Sequence, residues 1–172
     1  GDNVIQIAED VQPGSIVISA GAVLREQEIA GLASLGIAQA QVRRRPRVAL
    51  ISSGDELVPV ESPTLPGQVR GSNAPMLAAL VIANGGEPFD MGILPDRADA
   101  FAAAAATAKA RADVIVFMAG SSMSDRDYTA ETISALGAPG ILVHGIAFRP
   151  GKPTIFAVCD GTPVFGLPGN PN

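Results

Sequence analysis

Aromatic residues are scarce in this chain: six Phe, one Tyr and no Trp among 172 residues. A buried core must therefore come from Ala, Val, Ile and Leu, a composition that parallel sheets covered by helices often show. Cysteine is nearly absent. The single Cys159 excludes a disulfide within the chain and argues against a Cys-based metal site. It lies in the apolar run Thr154-Ile155-Phe156-Ala157-Val158-Cys159 and reads as a buried structural thiol. One histidine, His144, cannot form a histidine cluster. Basic residues are outnumbered, 12 Lys and Arg against 17 Asp and Glu, for a net charge of −5. That balance argues against a non-specific nucleic-acid binder, and the short run Arg43-Arg44-Arg45 reads as a solvated linker. No uninterrupted apolar stretch reaches the ~20 residues of a bilayer-spanning helix, and no signal peptide is visible. The expectation is a soluble cytoplasmic protein with neither nucleic acid nor membrane as partner. The chain starts without Met and stops just after a turn motif, which reads as a piece of a longer protein.

What is present suits one full α/β domain with a small appendage. Residues 1–45 have the texture of a partial β-rich segment of a neighbouring domain. Val4-Ile5-Gln6-Ile7 and Ser15-Ile16-Val17-Ile18 read as short strands around the turn Pro13-Gly14, and residues 37–42 as a further strand. Between them, residues 25–35 carry apolar positions at helical spacing, and Gly36 is placed to end that helix in a left-handed cap.

Residues 46–172 alternate between strand and helix patterns. Strands are expected at 48–51, 89–94, 113–118, 141–146, 154–159 and 163–165. Helices are expected at 73–84, from Asp96 to about 110, and at 127–136. The last two strands turn at Asp160-Gly161 as a hairpin. The order predicts a three-layer α/β/α fold with a mainly parallel sheet, plus a small N-terminal α+β segment.

Ligands of open α/β sheets bind beyond the carboxyl ends of the strands. The loops there hold Ser53-Gly54-Asp55-Glu56, Pro95-Asp96, residues 119–127, Arg149-Pro150-Gly151-Lys152-Pro153, and Gly166-Leu167-Pro168-Gly169-Asn170-Pro171. Small residues let backbone N–H groups approach phosphate oxygens. The carboxylates Asp55, Glu56, Asp96 and Asp127 suit phosphates only if Mg²⁺ lies between, and Lys152 could add direct positive charge. Plainer readings stand beside these. Asp96 and Asp127 both precede helices and could be N-caps. The glycines could be ordinary turn residues, and Lys152 a solvated lysine. From residues alone the reading stops at an α/β domain that binds a phosphate-bearing ligand, with no Walker motif and no dinucleotide glycine fingerprint.

Longer motifs support a family resemblance. Ser53-Gly54-Asp55-Glu56-Leu57, Gly67-Gln68-Val69-Arg70-Gly71-Ser72-Asn73 and Gly92-Ile93-Leu94-Pro95-Asp96 resemble the molybdopterin-binding (MoaB/Mog-like) domain of the molybdopterin molybdotransferases, the MoeA family. So do Asp125-Arg126-Asp127-Tyr128, His144-Gly145-Ile146-Ala147-Phe148-Arg149-Pro150-Gly151-Lys152-Pro153 and the closing Leu167-Pro168-Gly169-Asn170-Pro171. The last two are the specific ones, since related adenylylating and competence-type domains usually lack that pair.

The resemblance implies Mg²⁺-dependent insertion of molybdate into adenylylated molybdopterin with release of AMP, in a homodimer of longer subunits. This chain alone would then be inactive. By position, Glu56, Asp96 and Asp127 match the family's acidic site residues, with Glu56 and Asp127 implied as the Mg²⁺ ligands. Ser53, Gly54, Asp55, Asn73, Gly120, Ser122, Lys152, Pro168, Gly169, Asn170 and Pro171 are implied to bind the pterin nucleotide. One departure matters. Where the family has a Ser-Gly-Gly-Val-Ser-x-Gly loop, this chain has Met118-Ala119-Gly120-Ser121-Ser122-Met123-Ser124, so Ala119 and Ser124 replace two glycines. A molybdopterin-binding module impaired in turnover, or an adenylyltransferase-like domain, are the alternative readings.

Overall fold

A computed structural model describes residues 9–119 and 128–169. The chain forms two compact units, one up to Arg43 and the other from Arg44.

The first unit holds helix α1, Glu26–Ser34. The Glu28 carboxylate accepts the backbone N–H of Arg25 at 2.9 Å, which satisfies a donor at the helix start. Gly36 ends the helix at φ +76°, as expected. The strands expected at 15–18 and 37–42 do not form. A strand needs a neighbour to take its N–H and C=O groups, and Ile16, Val17, Ile37 and Val42 stand exposed.

The second unit is a six-stranded sheet with helices on both faces. Its elements are β1 Arg47–Ser53, α2 Asn73–Ala83, β4 Glu87–Leu94, α3 Ala98–Arg111, β5 Val114–Ala119, α4 Tyr128–Leu136, β6 Pro139–His144, β7 Ile155–Cys159 and β8 Thr162–Pro168. A separate parallel pair, β2 Leu57–Val58 with β3 Val69–Arg70, lies between β1 and α2 in sequence and has no counterpart in the sequence reading.

Strand order is β4-β1-β5-β8-β7-β6. β1 pairs in parallel with β4 and β5, and β5 with β8, whereas β7 runs antiparallel to both β8 and β6. The hairpin between β7 and β8 turns at Asp160 and Gly161, at φ +49° and +84°. β6 starts two residues earlier than expected because Pro139 pairs with Cys159 at the far end of β7.

The apolar run of β1 is continuous because both sheet faces are covered. Val48 and Leu50 face one side, with Val116, Met118 and the α2 residues Ala74, Leu77 and Ala78. Ala49 and Ile51 face the other, with Ile115, Phe117, Val164 and residues of α3 and α4. On that side the small buried Ala104, Ala105 and Ala108 bring α3 close to the sheet, and Phe101 stacks on Phe117 at 6.1 Å.

Candidate functional site

The chain leaves β1 toward β4 through α2 on one face. It then returns through α3 on the other face to β5, on the opposite side of β1. That reversal opens a crevice at the carboxyl ends of β1 and β5, where open α/β sheets place their ligands. Ala119, the last residue of β5, is paired on one side with Ser53 and on the other with Pro168. With strands about 4.8 Å apart, Ser53 and Pro168 are roughly 10 Å from each other.

On the β1 side the chain turns at Gly54, φ +150°, whose carbonyl accepts the N–H of Leu57 at 3.0 Å. A side chain at Gly54 would meet the Glu56 carboxylate, with Cβ only 2.7 Å from Oε2. The bare backbone therefore lets Glu56 fold back over it. The Glu56 carbonyl in turn accepts the N–H of Val69 at 2.9 Å, which holds the loop to β3.

The loop after β4 is tied to this turn. Asp55 Oδ1 accepts the backbone N–H of Asp96 at 3.2 Å. Burial pushes the Asp96 carboxyl above its usual range, and the charges of Asp55 and then Glu56 add to that. The Ser53 hydroxyl and the Asp55 N–H oppose the shift. Ser53 Oγ lies near enough to favour the charged carboxylate, yet it forms no hydrogen bond of good geometry. It is a buried side-chain atom without a partner among the described residues. Asp96 does not cap α3. That position belongs to Arg97, whose guanidinium is spent on Asp99 at 2.6 Å. The N-cap expectation for Asp96 is thus corrected: the chain bends one residue later, and its carboxyl turns toward the β1 loop instead.

On the β8 side a cleft of about 200 Å³ is lined by Asn73, Met76, Leu77, Met118, Pro150, Gly151, Leu167 and Pro168. Its walls come from α2, the end of β8 and the β6–β7 loop. That loop is closed by Ile146 N–H on the Lys152 carbonyl and Thr154 N–H on the Gly151 carbonyl, at 2.9 and 3.0 Å. Lys152 itself is exposed. Asn73 Nδ2 donates to the Gly169 carbonyl at 2.7 Å.

The structure thus brings Ser53, Gly54, Asp55, Glu56 and Asp96 into one acidic corner, and Asn73 and Pro168 into a cleft on the β8 side, with Gly169 bonded to Asn73. Gly120, Ser122, Asp127, Asn170 and Pro171 lie outside the described residues. Among the described residues, no group of three His, Cys, Asp or Glu side chains could hold a metal ion by itself. The sequence reading missed Met76, Leu77, Met118 and Leu167. An available signal was Met76, an exposed apolar residue on the first turn of a helix beside the expected site.

A family described as probable molybdopterin binding domain matches residues 49–172. A molybdopterin molybdenumtransferase of a Nostoc species is 42% identical over 163 residues, covering 93% of this chain and 37% of that protein. The Bacillus subtilis protein of the same name is 36% identical over 172 residues, covering 100% and 40%. A crystal structure of a molybdopterin biosynthesis MoeA protein from Pyrococcus horikoshii superposes with a TM-score of 0.74 at 40% identity, over 86% of this chain and 36% of that one. The chain therefore spans about two fifths of the length of these relatives.

Proposed function

Because this chain belongs to the molybdopterin-binding domain family, we propose that it is the substrate-binding part of an enzyme that inserts molybdate into adenylylated molybdopterin and releases AMP. The observation that carries this reading is the acidic corner beside an apolar cleft. An anionic nucleotide would be repelled by Asp55, Glu56 and Asp96 unless a cation intervened, and the Asp96 carboxyl is already held above its usual range by burial and then by the charges of Asp55 and Glu56. The donor set fits Mg²⁺. That ion prefers oxygen ligands and needs only one or two carboxylates when phosphates supply the rest. The orphaned Ser53 hydroxyl is a further oxygen beside them.

Glu56 and Asp127 would hold Mg²⁺, which would neutralise phosphate charge as the bond to AMP is broken. Gly54 lets the Glu56 carboxylate fold back to that place, and Asp55 fixes the loop that carries Asp96. Asp96, its carboxyl raised above the usual range by burial and then by Asp55 and Glu56, is suited to hold or release a proton near the reacting oxygens. The cleft at Met76, Leu77, Met118 and Leu167 would take a flat ring of the substrate against aliphatic and thioether walls. Lys152, Gly120, Ser122, Asn170 and Pro171 complete the proposed binding set, supported by their match to the family motifs. In the same reading the intact protein is a cytoplasmic homodimer, and residues 1–45 are a piece of its neighbouring domain.

Calorimetry on the 172-residue chain tests this. Adenylylated molybdopterin is expected to bind at least tenfold more tightly with Mg²⁺ than with EDTA. Absence of binding under both conditions overturns the reading. The chain alone is expected to bind without completing molybdate insertion, and cofactor formation in a reconstituted assay would contradict that part.

A further inference from the structure

The carbonyl of Gly169 lies past the last described pair of both ladders that β8 makes. Its parallel partner β5 is matched only as far as Ala119 opposite Pro168, and antiparallel β7 begins with Ile155 opposite Gly166. Among the described residues no strand donates to that carbonyl, and backbone acceptors at half-buried positions require a partner. The donor comes from the first turn of α2, where Asn73 Nδ2 reaches Gly169 across 96 residues of sequence.

Asn side chains near helix starts usually bond to their own backbone neighbourhood. Asn73 does not serve as the cap, because Ser72 occupies that position. Its amide is directed to a distant loop instead. The bond also joins two walls of one cleft. Asn73, Met76 and Leu77 line it from α2, and Leu167 and Pro168 line it from the end of β8.

We propose that Asn73 is a positioning residue. Its amide latches Gly169, the residue just past β8, onto α2, and so fixes the width of the apolar cleft between them. The latch rests on the hydrogen bond itself. Only its consequence for a ring-bearing ligand rests on the function proposed above.

The test uses the full 172-residue chain with Asn73→Asp and Asn73→Ala. Asp keeps the size and polarity of Asn but, when ionised, cannot donate and is repelled by the carbonyl. Amide exchange over residues 162–169 at pH 7 is expected to lose protection at least tenfold in both variants, with α3 and the melting temperature unchanged. As pH falls and the new carboxyl at 73 becomes protonated, its O–H can donate again. Protection relative to wild type should then recover in Asn73→Asp and not in Asn73→Ala. Unchanged protection overturns the latch. So does a loss spread over the whole domain in step with melting, which would make Asn73 merely structural. AMP with Mg²⁺ then serves as the ligand probe. Weaker binding in both variants at pH 7 supports the cleft-width role, and unchanged AMP affinity despite lost protection overturns it. If wild type binds no AMP, the ring-binding role fails while the exchange arm still decides the latch.

Discussion

Gly54 and Glu56 share one small volume: a Cβ on Gly54 would sit 2.7 Å from the Glu56 carboxylate oxygen, closer than non-bonded atoms approach. The site's exposed acid is therefore shaped by the absence of a side chain two residues earlier. Gly54→Ala should displace the Glu56 carboxylate. It should also cost about 1–3 kcal/mol, because φ +150° is a conformation that L-residues rarely hold. Thermal melting and Mg²⁺-dependent nucleotide binding on the same sample check both effects. Binding that survives unchanged would show that Glu56 is not held where it is needed.

Asp96 should separate stability from function. Its carboxyl is raised by burial, then by Asp55 and Glu56. A folded-state value above the unfolded one favours the fold when the group is protonated, and that benefit is lost as pH rises through the folded value. At neutral pH the charge is thus a liability to the fold. Asp96→Asn, without metal, is expected to melt at or above the wild-type temperature at pH 7. Turnover of the intact protein should nevertheless fall tenfold or more, about 1.4 kcal/mol of barrier per tenfold. A variant that melts lower and stays active would reverse the assignment.

Asp113 should set part of the acid response of the second unit. Its carboxylate takes two bonds from Arg44 at 2.6 Å and one from the Arg47 N–H at 2.7 Å, and these hold its pKa down to about 2. A depressed carboxylate contributes stability above its unfolded value, roughly 4, and that contribution disappears as pH falls toward about 2. Denaturant unfolding of wild type and Asp113→Asn at pH 7, 4 and 2.5 measures this. Wild type is expected to lose more between pH 4 and 2.5 than the variant. Equal losses would remove Asp113 from the acid response.

At the other end of the sheet, Gly137→Ala is expected to destabilise by roughly 1–3 kcal/mol, through a φ of +158° that L-residues rarely hold and through overpacking. Its Cβ would lie 2.6 Å from the Asp160 carboxyl carbon. That carboxyl cannot move freely, because Lys109 Nζ holds it at 2.6 Å and the Ala138 N–H at 3.0 Å. In a double-mutant cycle, Asp160→Ala should relieve the part of that cost that comes from the clash, leaving the backbone strain of φ +158°. Additive losses would place the strain elsewhere.

The sequence by itself determined the layering of this protein. Val48 to Ile51 reads as a doubly covered strand because period-2 alternation buries both of its faces, and that is local information. The glycines that end α1 and α2, the turn at Asp160-Gly161 and the placing of acidic loops after strands were legible for the same reason: each depends on a few neighbouring residues. Beyond the hairpin of β7 and β8, tertiary structure alone decided which strands pair. It placed β7 antiparallel between β6 and β8, and left Ser15 to Ile18 without a partner despite its strand-like composition. It also turned Asp96 from an expected cap toward Asp55, and drew Met76, Met118 and Leu167 into one cleft. Nothing near Asn73 in sequence points to Gly169. Their bond exists because the sheet brings the end of β8 beside the start of α2, and contacts between distant residues are set by topology, not by local periodicity.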